Sequence, residues 1–196
     1  MYRIDSRCDV ISQVRRGGTT DIATRLGVLD AGRLFLKNYP QKNPVKAFNP
    51  GLIVKGDEIL VYPRVILGYY MYVSGIAKLE LSREDIYEGY VNFSQYLAKL
   101  VIGPDIDKDI WGTEDPRVQK INDLLAMIYT GRTVFYFSRV SYERTVPVLA
   151  VSRDGDEWVK KAFFTLPLKL REKMISDKDA VILKTGKELF LLHRPH

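Results

Sequence analysis

Asn49-Pro50-Gly51-Leu52-Ile53-Val54-Lys55-Gly56-Asp57-Glu58-Ile59-Leu60-Val61-Tyr62-Pro63-Arg64 reads as two apolar strands joined by a tight polar turn. β-branched and aromatic residues favour extended backbone, and Lys55-Gly56-Asp57-Glu58 has the chemistry of a hairpin connection. The same grammar returns twice. Residues 115–129 carry an apolar run, the turn Ile121-Asn122-Asp123 and a second apolar run, with Arg132 just beyond. Residues 179–194 repeat it around Lys184-Thr185-Gly186-Lys187. The starts at Asn49, Asp115 and Asp179 give a period of 66 and then 64 residues. A four-stranded propeller blade with long loops fits that period, although commoner blades run to roughly 40–50 residues. Radial repetition also leaves an all-β chain with only short, protected sheet edges. The expectation is one all-β domain over 1–196, a β-propeller with an N-terminal segment 1–48 and blade-like repeats starting near 49, 115 and 179.

Further strands are expected at 60–62, 133–137, 146–151 and 180–183, with a turn at 152–158. Helical patterns are few. Residues 20–29 follow the Gly17-Gly18 break and suit a short helix, and Ser82-Arg83-Glu84-Asp85 has an N-cap followed by acids.

Composition narrows the chemistry. The chain has 30 Lys+Arg against 24 Asp+Glu, a net charge of +6, and a single cysteine, Cys8. One cysteine excludes an internal disulfide framework and a multi-cysteine zinc site. The only histidines are His193 and His196, so a histidine-rich metal cluster is excluded and carboxylates, Arg/Lys and hydroxyls must carry most of any chemistry. No metal site is expected. Met1-Tyr2-Arg3-Ile4-Asp5 bears charges where a signal peptide needs apolar residues, and the uncharged run 65–77 is too short for a membrane span. That run reads as strand-turn-strand. The expected setting is cytoplasmic, with no membrane partner.

Several motifs have plainer readings. Arg15-Arg16-Gly17-Gly18-Thr19-Thr20 lacks the Gly-Lys-Ser/Thr ending of a phosphate loop and reads as a basic turn. Tyr69-Tyr70-Met71-Tyr72 and Phe135-Tyr136-Phe137 could stack sugars or bases, but at strand spacing they suit core and edge packing. Asp105-Ile106-Asp107-Lys108-Asp109 lacks the Gly and terminal Glu of a calcium loop and reads as a solvated loop. The basic excess matches no recognised nucleic-acid module, and no nucleic-acid partner is expected.

A propeller brings equivalent positions of successive blades to its central axis. Asn49, Asp115 and Asp179 should then converge, with Arg64, Arg132 and Arg194 as a second ring. The segment Gly112-Thr113-Glu114-Asp115-Pro116-Arg117 is the most informative. On a regular strand adjacent side chains point to opposite faces and residues two apart share one. Glu114 and Asp115 are thus expected on different faces, and Asp115 and Arg117 on the same face. A surface turn with a salt bridge is the bland alternative.

Ala47-Phe48-Asn49-Pro50-Gly51, Gly112-Thr113-Glu114-Asp115-Pro116-Arg117 and Lys178-Asp179-Ala180-Val181 with Leu192-His193-Arg194-Pro195 resemble, in order, the signatures of glycoside hydrolase family 130. The resemblance covers the chain from about Phe48 to Pro195 and implies a five-bladed β-propeller, of which this chain provides about three blades. It implies inverting phosphorolysis of β-mannosides, with Asp115 as the general acid that protonates the departing oxygen, in phosphorolysis through a sugar hydroxyl. Asn49, Arg64, Glu114 and Arg117 would surround the sugar, and Lys178, Asp179, His193 and Arg194 would face phosphate. The implied partners are a β-mannoside or related oligosaccharide and inorganic phosphate as co-substrate, with no further cofactor and with homo-oligomerisation open. An inverting hydrolase needs a second carboxylate to activate water. A phosphorylase needs a cationic cradle for phosphate instead, which suits Arg and Lys. The alternative is a non-catalytic or incomplete propeller that binds sugar or a protein partner.

Overall fold

The computed structural model describes residues 13, 17, 18, 20, 22–68 and 72–196. Cys8, Arg15, Arg16 and Thr19 of the basic turn, and Tyr69-Tyr70-Met71 lie outside the described residues.

Eleven strands among the described residues form three sheets that follow one another along the chain. The first contains β1 (Leu34–Leu36), β2 (Lys46–Lys55), β3 (Glu58–Ile66), β4 (Ser74–Ser82) and β5 (Tyr96–Ile102), in the order β1-β5-β4-β3-β2. β2 to β5 form an antiparallel meander, and β1 adds parallel to β5. The second is the meander β6 (Thr113–Ile121), β7 (Leu124–Arg132), β8 (Thr145–Ser152) and β9 (Val159–Phe163). The third is the hairpin β10 (Asp177–Thr185) and β11 (Glu188–Pro195). The architecture is a partial β-propeller of two full blades and the first hairpin of a third.

One device is repeated three times. Phe48 pairs with Arg64 and Gly51 with Tyr62, so Asn49 and Pro50 oppose the single residue Pro63. Glu114 pairs with Thr130 and Arg117 with Ile128, setting Asp115 and Pro116 against Tyr129. Lys178 pairs with Arg194 and Val181 with Leu192, setting Asp179 and Ala180 against His193. Each is a two-for-one bulge, which bends the strand and re-aims its side chains. The first bulged residue has positive φ every time: 47° at Asn49, 49° at Asp115 and 54° at Asp179. Asn and Asp are the side chains that best tolerate this left-handed conformation.

β2 and β6 run against each other between blades. A Cβ on Gly51 would stand 3.0 Å from the Pro116 carbonyl, so glycine permits the close approach. β3 is buried from Ile59 to Ile66 because it has a sheet neighbour on each side and packed layers on both faces. One face joins Leu34, Leu36, Val65 and Leu79 inside the first blade. The other joins Leu60, Tyr62, Met127, Tyr129 and Val148 between the blades. Burying each such side chain is worth about 1.5–3 kcal/mol.

The hairpin turns fall where the sequence puts them, and Ser82 caps α1 (Arg83–Tyr87) in a full capping box with Asp85. Three local expectations fail. Residues 22–29 form no helix; the chain instead enters a short 3-10 turn at Ala31–Arg33, capped by Asp30. Residues 133–137 are a loop, because their rings pack on one another rather than into a sheet. The loop at 105–109 is not simply solvated: Asp109 is completely buried.

Candidate active site

The bulge in β6 overturns the expected alternation. Glu114 and Asp115 are adjacent, yet both reach the same guanidinium. Arg64 Nη2 donates to Glu114 Oε1 at 2.9 Å, and Arg64 Nη1 donates to Asp115 Oδ1 at 3.2 Å. Left-handed backbone at Asp115 and the fixed φ of Pro116 turn successive side chains toward one side. Arg117 meets no carboxylate among the described residues; its Nη1 donates to the carbonyls of Asp115 and Pro116, at 3.2 and 3.1 Å. It braces the bulged backbone.

Arg132 completes the cluster, its Nε donating to Glu114 Oε1 at 2.8 Å. The Arg64 and Glu114 side chains are 6% and 7% exposed, whereas that of Asp115 remains 19% exposed. Asp115 is therefore the accessible carboxylate of a mostly buried ionic group. The guanidinium of Arg64 lies 5.0 Å from the ring centre of Phe48 and 5.1 Å from that of Tyr72. Arg132 stacks on Tyr136 at 4.8 Å. Arg64 Nε is buried without a hydrogen-bond partner among the described residues.

Arg132 belongs to this site, but not as the register equivalent of Arg64 and Arg194. Those two face Phe48 and Lys178, and their counterpart in the second blade is Thr130, facing Glu114. The equivalent positions in the three hairpins are thus Arg64, Thr130 and Arg194, with Arg132 two residues further along β7. Asn49 is exposed on β2.

The third hairpin holds its charges in pairs. Arg194 Nη2 lies 2.5 Å from Asp179 Oδ2. His193 Nδ1 donates to the carboxylate of buried Asp177, 2.8 Å from the nearer oxygen. Lys178 stands apart from both pairs. It lines a cleft of about 340 Å³ together with Arg132, Arg144 and His196, with Tyr136 and Ser176 alongside. Arg132 is common to the cleft and the carboxylate cluster, so the two form one continuous polar region. Lys178 is brought to it; Asp179, His193 and Arg194 are engaged with one another and with Asp177. The sequence reading did not include Arg144, and it assigned Tyr72 and Tyr136 to core and edge packing; all three lie on loops, without any repeat pattern to mark them.

A second polar group lies beneath the bulge. Tyr129 is the single residue opposite Asp115 and Pro116. Its hydroxyl donates to Asp109 Oδ2 at 2.6 Å, and Lys160 Nζ donates to the same oxygen at 2.6 Å. Asp109 Oδ1 accepts from the backbone N–H groups of Asp105 and Ile106. Burial, then the bond to Asp109, push the Tyr129 hydroxyl far above its ordinary range, so it remains a donor.

Comparison with known proteins places the chain in a family. The sequence model of glycoside hydrolase family 130, described as β-1,4-mannooligosaccharide phosphorylase, matches residues 13–196. A β-1,2-mannobiose phosphorylase from Thermoanaerobacter sp. (strain X514) is 28% identical over 115 residues, covering 49% of this chain and 36% of that protein. The solved β-1,2-mannobiose phosphorylase from Listeria innocua, in complex with β-1,2-mannobiose, superposes with a TM-score of 0.59. It is 16% identical, over 86% of this chain and 56% of that one. A sucrose-6-phosphate hydrolase from Lactobacillus gasseri reaches a TM-score of 0.56 at 18% identity, over 76% of this chain and 29% of that one. The chain spans between 29% and 56% of the length of these relatives.

Proposed function

Because the chain belongs to glycoside hydrolase family 130, we propose that it carries the acid side of an inverting β-mannoside phosphorolysis, with Asp115 as general acid. The observation that supports this most is the Arg64–Asp115 contact at 3.2 Å, made by a carboxylate that stays partly exposed while Glu114 is buried. Arg64 and Glu114 fix the position of Asp115. Asn49, Arg64 and Glu114 border the sugar, and Arg117 steadies the strand that presents the acid.

In the proposed step, a phosphate oxygen attacks the anomeric carbon as the bond from that carbon to the glycosidic oxygen breaks. The proton of Asp115 is delivered to the departing oxygen through a sugar hydroxyl, and the products are the shortened saccharide and α-mannose 1-phosphate. Phosphate supplies the nucleophile, so no second carboxylate has to activate water. Phosphate would sit in the cleft lined by Arg132, Arg144 and Lys178, where guanidinium forks match its oxygens. Of the four residues read from sequence as phosphate-facing, Lys178 is the one this cleft favours. His193, Arg194 and Asp179 would shape the neighbouring hairpin.

The test is incubation of the folded protein with mannobiose and inorganic phosphate, following mannose 1-phosphate. Product from the wild type, reduced at least about 100-fold in Asp115→Asn, is the expected result. A folded wild type that yields no mannose 1-phosphate, or an Asp115→Asn variant of unchanged activity, overturns the reading.

A further inference from the structure

β11 is a sheet edge: it pairs with β10 on one side and has no strand neighbour on the other among the described residues. Thr185 pairs with Glu188 across a two-residue turn, so the doubly bonded pairs of the hairpin are Thr185–Glu188, Leu183–Phe190 and Val181–Leu192. The intervening Leu189 and Leu191 turn their N–H and C=O groups away from β10, toward the open edge. Such an edge is a template for another strand unless charge, proline or a bulge blunts it. The side chains of β11 do the opposite. Lys184 Nζ donates to Asn122 Oδ1 of the second blade at 3.0 Å, so the face carrying Lys184 and its pair Leu189 lies toward that blade. Leu183, Phe190 and Leu192 share the other face, and each is about half exposed. Contiguous apolar surface of this kind marks an interaction site.

We propose that β11 pairs antiparallel with β11 of a second copy of this chain, with Leu191 on the two-fold axis, so that two molecules share one four-stranded blade. The sequence of β11 identifies the occupant, because in that register it is complementary to itself. Glu188 stands opposite the partner's Arg194, and Arg194 opposite the partner's Glu188, which sets opposite charges at both ends. Between them Phe190 and Leu192 face the partner's Leu192 and Phe190. These are the non-hydrogen-bonded positions, where side chains across a ladder approach most closely. Leu191 meets its own copy, and Leu189 the partner's His193, at the bonded positions that match the outward N–H and C=O groups. Sliding the register by one pairing step sets Glu188 against Leu192 or Arg194 against Phe190, so charge fixes the alignment. Arg194 is largely exposed and spends one nitrogen on Asp179, which leaves the rest of its donors for the partner. The shared sheet has the four strands that the second blade already has. A two-fold contact of this kind closes at the dimer.

Sedimentation equilibrium of the protein at up to about 100 μM is expected to show a species of twice the 22.5 kDa chain mass. Glu188→Arg and Arg194→Glu each set like charges opposite one another across the axis, and each alone should weaken the dimer about tenfold. Mixed in equal amounts at low salt, the two variants should recover it, since every charged pair is again opposite in sign. Leu191→Pro removes an N–H that the hairpin does not use, and should give a folded monomer. Circular dichroism checks the fold of each variant. A wild type that stays monomeric over this range overturns the proposal. So does a dimer that persists in all three variants, because its interface then lies elsewhere. Single charge variants that dissociate but do not recover on mixing overturn the register, and the proposal with it.

Discussion

Arg64, on β3 of the first blade, holds Asp115, on β6 of the second, at 3.2 Å while it bonds Glu114 at 2.9 Å. One side chain therefore joins two blades and positions the carboxylate proposed as the acid. Removing it as Arg64→Met leaves Glu114 buried with only Arg132, and losing one member of a buried ion group costs about 3 kcal/mol. Urea denaturation is expected to show that loss, accompanied by loss of phosphorolysis. Arg64→Lys should recover part of the stability but not the activity, because an ammonium cannot fork between two carboxylates. Equal stability of Arg64→Met and wild type would contradict the role.

The three bulges make a prediction that separates backbone from chemistry. Asn49 has φ 47°. Asn49→Gly should fold with stability close to wild type, since glycine adopts this conformation freely. Asn49→Val should lose about 1–2 kcal/mol, because left-handed backbone is strained for side chains that lack a local polar contact. Chemical denaturation of the two variants checks it, and matching midpoints would show that the bulge is not strained at this position.

The period, the hairpins and the order of blades were legible because each rests on local patterns: alternating apolar residues, Gly and Asn/Asp turns, and a recurring spacing. The site was legible as a set of positions and not as a geometry. Alternation along a strand placed Glu114 and Asp115 on opposite faces, and it failed because a two-for-one bulge suspends alternation at that point. The clue was the repeated Asn-Pro, Asp-Pro and Asp-Ala at 49, 115 and 179, whose left-handed tendency marks a bulge. Arg132 was visible, but it lies two residues beyond Thr130, the register equivalent of Arg64 and Arg194. Nothing local distinguished Phe135-Tyr136-Phe137 as a loop, since aromatic residues signal strands equally well. Asp109 looked like one acid among several in a polar loop. Its burial depends on Tyr129 and Lys160, 20 and 51 residues away.

That buried group should be measurable as stability. Tyr129→Phe keeps the ring in the interblade core and removes one of the two donors to Asp109 Oδ2, leaving Lys160 on that oxygen. Losing one such hydrogen bond while the acceptor keeps another donor costs about 1 kcal/mol. The expected result is a lower urea midpoint at unchanged slope. Because Tyr129 faces Asp115 and Pro116 across the hairpin, mannose 1-phosphate formation should also fall, through displacement of the acid. A variant as stable as wild type would remove the Tyr129–Asp109 bond from the account.

The turn at 152–158 carries a pH signature. Asp154 Oδ1 accepts from the backbone N–H groups of Glu157 and Asp156 and from the Ser152 hydroxyl, and these bonds lower its pKa to about 2. Gly155, at φ 85°, then brings its carbonyl to the Tyr62 hydroxyl at 3.2 Å, joining the turn to the first blade. Burial pushes that hydroxyl up to about 12, so it donates throughout the usual pH range. The folded value of Asp154 lies below its unfolded value of 3.8. Its contribution is therefore complete above pH 3.8 and disappears as pH falls through 2. Asp154→Asn should melt below wild type at pH 5, and the two melting temperatures should converge as the pH is lowered toward 2. A gap that stays constant over that range would mean that the carboxylate charge plays no part in holding the turn.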